Sequence, residues 1–197
     1  MTIPKSATHK ALDLVEYIIK TGPDESIKEL IQYLNWSFKK ENVGYRVIGK
    51  EITPITTPIE IDSINEALQT PYQSITTLFD TALSLLSSKT NPDYRNSIKE
   101  SISAVEAICK LISGKSNGTL GKALKTIGNK HPIPPALQEG LSKIYGYTSA
   151  SGGIRHALIK NDTTPTFADA QFMLVSCSAF VNYLVAIAAE RNIPLEG

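Results

Sequence analysis

The run Gly152-Gly153-Ile154-Arg155-His156 gathers the side chains of this chain best suited to chemistry. An imidazole titrates near neutral pH and can take or give a proton. A guanidinium can grip a phosphate through two donors. The glycines before them leave the backbone bare. Together these groups suit the binding or cleavage of a phosphodiester, with His156 moving the proton and Arg155 holding the charge. The competing reading is structural: His156 caps or packs a short helix, and Arg155 pairs with a carboxylate. Neighbouring side chains on a helix point in different directions, so adjacency alone does not decide between the two.

Two further sets could assist at a substrate site. Arg95 and Lys99 are four residues apart, with Glu100 beside them. That spacing puts the two cations on one helix face, turned outward or onto a polar cleft; ordinary surface charge is the alternative. Tyr145 and Tyr147 stand just upstream of the glycines. Rings near basic residues can stack unpaired bases, although tyrosine more often packs in a core. His9 sits near the N-terminus and His131 precedes Pro132. No Ser-His-Asp or Cys-His set can be assembled. Cys109 and Cys177 lie in apolar helical patterns, away from metal-ligand spacing, as buried free thiols of a reducing compartment would. Neither a metal nor a cofactor fingerprint is present in the sequence.

The elements that must position these residues are helical almost throughout. Leu14, Val15, Ile18 and Ile19 mark a first helix. Ile27, Leu30, Ile31, Leu34 and Phe38 mark a second, opened by Ser26 and Glu29 at capping-box spacing. The rhythm then breaks. GYRVIGKEITPI alternates apolar and polar residues around Gly49-Lys50, which predicts a small hairpin at residues 45–54 closed by Pro54. Thr57, Pro58 and Glu60 start a helix carrying Ile61, Ile64 and Leu68, and Pro71 ends it. Ile75, Leu78, Phe79, Ala82 and Leu86 form the next.

Asn91-Pro92 opens the most regular stripe, Ile98 to Ile112, which Gly114 stops. Leu120, Ala123, Leu124 and Ile127 give a short helix ending at Gly128, and Leu137, Leu141 and Ile144 another. A polar stretch from Tyr145 to Thr166 then precedes a long closing helix, about Thr166 to Glu190. Its Asp169, Gln171 and Asn182 are costly in lipid, so the pattern predicts a buried central helix and no membrane partner. The expected fold is all-α: a helical bundle with a small N-terminal β-hairpin insertion. Residues 1–88 form an N-terminal helical segment and 89–197 the bundle.

The 197 residues carry a net charge of +1, which excludes a strong whole-molecule field. The distribution is uneven: residues 93–160 hold 10 Lys or Arg against 4 Asp or Glu. An anionic partner would meet the chain there, unless these are simply solvated helix faces. The N-terminal MTIPKSATHK lacks the apolar core of a signal peptide, so a cytoplasmic protein is expected.

Residues from about 92 to 190 resemble the C-terminal HEPN-like domain of bacterial abortive-infection proteins of the AbiJ type. The similarity is carried by NPDYRNSIKESISAVEAICKLI, LSKIYGYTSASGGIRHALI and FADAQFMLVSCSAFVNYLVA. The run VGYRVIGKEITPIT also looks like the stretch preceding that domain. The resemblance implies an up-and-down helical bundle that pairs as a symmetric homodimer, with RNA as a substrate or ligand. Many such domains are metal-independent RNases in phage defence or toxin–antitoxin systems. Their active site is an Arg, four to six residues, then a His, with a polar residue on an earlier helix. Here His156 would be the motif histidine, with Arg155 or Arg95 on the phosphate and Arg95 or Glu100 orienting the site. The positions where the motif arginine would fall hold Ser149, Ala150 and Ser151. A non-catalytic module binding RNA, a nucleotide or a protein partner is therefore the alternative. A metabolic enzyme acting on a small molecule has no motif in its favour.

Overall fold

The computed structural model describes residues 5–114, 118–130, 133–150 and 164–195. Along the chain these form α1 (Lys5–Thr21), α2 (Asp24–Lys40), β1 (Arg46–Ile48), β2 (Glu51–Thr53), α3 (Pro58–Leu68), α4 (Gln73–Ser87), α5 (Tyr94–Ser113), α6 (Leu120–Lys130), α7 (Pro135–Ala150) and α8 (Phe167–Glu190). The architecture is the expected one, helices throughout with one antiparallel hairpin.

The hairpin turns where the sequence places it. Val47 pairs with Ile52 and Ile48 with Glu51 across the Gly49-Lys50 turn. Gly49 has φ of 55°, a left-handed conformation that a side chain would strain. Successive strand residues face opposite ways. Val47 and Ile52 bury into a small core with Leu12 and Ile19 of α1 and Ile27 of α2, whereas Ile48 belongs to a much larger core. The ribbon thus lies between two apolar clusters, which is how so short a sheet is stabilised.

The first helix is wetter than its pattern suggests. Leu12 and Ile19 are buried and Val15 half-buried, but Leu14 and Ile18 face solvent. Packed mainly against α2 and the hairpin, α1 has a contact face narrower than its apolar face. Ser26 and Glu29 do not cap α2. The helix starts earlier, at Asp24 after Pro23, with no side-chain cap, and Asp24 and Glu25 complement its dipole. Asn35 fixes its setting: the side chain accepts from the Val47 amide at 2.7 Å and donates to the Val47 carbonyl at 2.9 Å.

The large core is built on α5 and α8, with α3, α4, α6 and the tip of the hairpin around them. The buried stripe Ile98, Ile102, Val105, Ile108, Cys109 and Ile112 is the one the sequence marks. Asn91-Pro92 lies just outside α5, and the cap is Asp93, whose carboxylate accepts from the Asn96 amide at 3.0 Å. Gly114 ends the helix with φ of 62°. Small hydroxyls allow close packing, and three of the buried ones are satisfied on carbonyls. Ser97 donates to the Ala82 carbonyl on α4 at 2.7 Å, and Ser101 and Ser178 bond back to their own helices. Gly128 does not stop α6, which runs to Lys130; glycine weakens a helix without forcing its end.

Thr166 caps α8 in a reciprocal box. Its hydroxyl accepts from the Asp169 amide at 3.4 Å, and Asp169 accepts from the Thr166 amide at 2.8 Å. By length and composition α8 could cross a bilayer. In this chain it lies against α3, α4 and α5. Its polar groups serve that packing: Gln171 donates to Glu60 at 3.0 Å, and the Asn182 amide donates to the Ser63 carbonyl at 3.0 Å and to Glu66 at 3.1 Å. Although the sequence boundary groups α3 and α4 with the N-terminal segment, both pack in the large core.

Candidate functional site

The apolar stripe of α5 fixes which way its charges look. With Ile98 and Ile102 inward, Lys99 is exposed and Arg95 and Glu100 half-buried. Lys99 and Glu100 form an ion pair at 3.6 Å, so the glutamate partly neutralises the cation beside it. Next to Arg95, Tyr94 meets Phe167 edge to face, with ring centroids 6.1 Å apart and planes at 77°. That contact holds the start of α5 beside the start of α8. The chain therefore returns to described structure, after residues 151–163, next to Arg95.

The helix on the other side of that stretch is longer than the sequence suggests. The expected polar segment begins at Tyr145, yet α7 continues to Ala150. Tyr, Thr, Ser and Ala do not end a helix as a Gly-Gly pair can. Tyr145 and Tyr147 thus belong to α7; their side chains lie outside the described residues. Lys143, the nearest upstream base to the glycines, pairs with Glu139 at 2.9 Å on an exposed face.

Between α7 and the first turns of α8 lies a cleft of about 430 Å³, lined by Lys143, Ile144, Asp169, Phe172 and Met173. The Thr166 backbone amide and hydroxyl hold the Asp169 carboxyl below the usual carboxylate range, so it stays charged at the cleft. The Tyr94–Phe167 contact beside Arg95 and this cleft both lie toward the N-terminal end of α8. Arg155 and His156 lie outside the described residues, as does the Gly152-Gly153 pair. The helices before and after them, α7 and α8, are described.

Burial pushes both thiols up to about 12, with Glu106 adding to the effect at Cys109; neither is a reactive nucleophile. Among the described residues no three His, Cys, Asp or Glu side chains gather as a metal centre needs.

Two polar features escape a sequence reading. One is an ion network joining α1, β2 and the link after α4. Lys89 reaches Glu16 at 2.5 Å and Asp13 at 3.3 Å, and Lys20 bridges Glu16 at 2.9 Å and Glu51 at 2.8 Å. Burial pushes the Glu16 carboxyl up, but bonds from Lys89, Lys20 and the Ile52 amide outweigh it and hold the group below the usual range. Burial wins at Glu51, which is raised despite Lys20. The other feature is a cleft of about 570 Å³ between α2, the hairpin turn, α3 and α4, rimmed by Asp24, Lys28, Lys50, Glu51 and Asp80. Lys50 and Asp24 pair across it at 3.0 Å, and burial pushes the Asp80 carboxyl up against the opposing pull of Lys50. Both depend on partners tens of residues apart, which no local spacing announces.

Residues 1–70 match the family model described as AbiJ N-terminal domain 4. No curated protein and no solved structure matches the chain. The matched region covers α1, α2, the hairpin and α3, and it supports an abortive-infection protein of the AbiJ type.

Proposed function

We propose that this chain is a phage-defence effector whose second half is a HEPN-like bundle that cuts single-stranded RNA without a metal. The observation that carries the reading is the match of residues 1–70 to an AbiJ N-terminal domain, followed directly by an all-helical bundle. The three segments that resemble the HEPN-like domain fall on α5, on α7 with the residues after it, and on α8. In the proposed reaction His156 takes the proton of a ribose 2′-hydroxyl. The freed oxygen attacks the adjacent phosphorus, and a 2′,3′-cyclic phosphate forms as the bond to the 5′-oxygen breaks. That oxygen leaves with a proton returned by the imidazolium. Arg155 carries the charge on the phosphate, while Arg95 or Glu100 orients the site and Tyr145 and Tyr147 stack flanking bases. Two copies pair to complete the cleft, in the cytoplasm.

The experiment is cleavage of a single-stranded RNA by purified protein in excess chelator. His156→Ala should remove the activity and leave the fold intact, as read by circular dichroism. Absence of cleavage on every RNA tried, or unchanged cleavage by the variant, defeats the reading.

One sequence fact favours a second reading: Ser149, Ala150 and Ser151 stand where the motif arginine would be. Lacking that cation, the bundle would act by binding RNA, a nucleotide or a protein partner. A dimer that binds RNA tightly and never cuts it is the outcome this version expects.

A further inference from the structure

The outer face of α2 carries an arrangement that neither core uses. Tyr33 and Trp36 are 62% and 57% exposed, and their ring centroids lie 5.9 Å apart with planes at 34°. Lys40 places its ammonium 4.9 Å from the Trp36 ring centre, and Lys39 is exposed beside it. Among the described residues neither lysine has a carboxylate partner. No acidic residue occurs from Leu30 to Lys40.

The face cannot rotate away. Ile27, Ile31, Leu34 and Phe38 pack toward the small core, and Asn35 is bonded both ways to the backbone of Val47. The rings are thus held outward by the same contacts that seat the helix. Two large aromatic side chains kept in water forgo the burial they could have had.

We infer that this face of α2 binds single-stranded nucleic acid, with bases stacking on Tyr33 and Trp36 and phosphates meeting Lys39 and Lys40. Stacking rings interleaved with cations are the working parts of sequence-tolerant single-strand binders. The cores of protein–protein interfaces also favour tyrosine and tryptophan, but they are depleted in lysine. Lys40 over the Trp36 ring and the exposed Lys39 next to it in sequence, neither with a carboxylate partner among the described residues, favour the anionic polymer. Lys40 over Trp36 is one residue able to exchange a ring for a phosphate as a base arrives. This site is separate from the proposed cleavage centre and does not depend on it.

The chain supplies its own reporter, since Trp36 is its single tryptophan. The full chain is titrated with a deoxythymidine oligomer of about a dozen nucleotides, within the usual range of single-strand site sizes. Such an oligomer has no 2′-hydroxyl to react, so binding is read apart from any nuclease activity. Tryptophan fluorescence should be quenched, with an affinity that falls as salt rises. Tyr33→Ala should weaken binding about tenfold, in line with the loss of one stacked base. Lys40→Ala should weaken it too and flatten the salt dependence. Trp36→Ala, followed by anisotropy of a labelled oligomer, should weaken it at least as much as Tyr33→Ala. All three positions are exposed, so the variants should fold. Equal quenching by a duplex of the same length overturns stacking. No quenching, or affinities that the three variants leave unchanged, overturns the site and assigns the rings to a protein partner.

Discussion

The small core beneath α1 and α2 and the large core around α5 and α8 are held by different physics. Among the described residues the large cluster buries thirty side chains and the small one five. Thirty apolar side chains need little else; Ser97, Ser101 and Ser178 within that cluster bond to nearby carbonyls, and the buried Ser87 hydroxyl is tolerated without a partner among the described residues. Five are too few to fix two helices and a hairpin, and here charge supplies the rest. The Lys89–Glu16–Lys20–Glu51 chain ties α1 to β2 and to the end of α4. A small hydrophobic contact area makes orientation depend on a few directional bonds, whereas a large one makes it depend on shape.

The largest effect should come from the large core. Phe79 is fully buried at the centre of α4, and Phe79→Ala should lower global stability by about 3–5 kcal/mol, as deleting a buried ring does. Denaturant unfolding followed by helical signal reads it. If the bundle loses less than 1 kcal/mol, roughly the scale of a surface change, the two regions are not distinct in the way argued.

The next effect is local. Lys89→Met should cost about 2 kcal/mol, less than the 3–5 kcal/mol typical of stripping a buried charge of every partner, because Lys20 and the Ile52 amide remain on Glu16. Hydrogen exchange should show faster opening of α1 and of the hairpin, with α5 and α8 unchanged. Equal loosening of both regions would merge them into one cooperative unit.

The smallest effect is a pH response of the same kind. A carboxyl depressed in the folded state contributes stability that is present above its unfolded value and is lost as pH falls through its folded value. Glu16 is depressed, so the protection of α1 should decline only below the ordinary glutamate value of 4.5. Glu51, raised by burial, protonates earlier, and that step alone removes no stability. Exchange of α1 amides measured across this range checks it, with α5 as the internal reference. A loss that sets in near neutral pH contradicts the role given to Glu16.

What was legible in the sequence follows the same divide. The stripe of α5, the start of α8 at Thr166 and the Gly114 stop are local patterns in helices buried on a broad face, and local periodicity reads those well. The hairpin at Gly49-Lys50 was equally readable, because alternation and a turn sit within ten residues. In α1 the apolar set Leu14, Val15, Ile18 and Ile19 contains the buried Ile19 and the half-buried Val15, but Leu14 and Ile18 face solvent and the buried Leu12 stands outside it. Two apolar faces on one helix do not say which is covered. The ion network joins residues up to 73 positions apart and was invisible. Of the candidate site, Arg95, Lys99 and Glu100 have a described setting on α5. The basic pair Arg155-His156 belongs to a stretch rich in glycine and hydroxyls, in which only Ile154, Ala157 and Leu158 offer the pattern of one short helical turn.

One consequence follows from the ribbon that faces two ways. Ile48 looks toward α3 and α4 while its neighbour Val47 looks toward α1, and Ile64 and Ala67 of α3 rest in the larger cluster. The stretch up to residue 70 is therefore inherited as a unit of sequence without being a free-standing body. Excised, it would present Ile48, Ile64 and Ala67 to water. Joined to a different second half, this stretch would need an equally deep apolar bed there, so the two parts of the chain constrain each other's sequence.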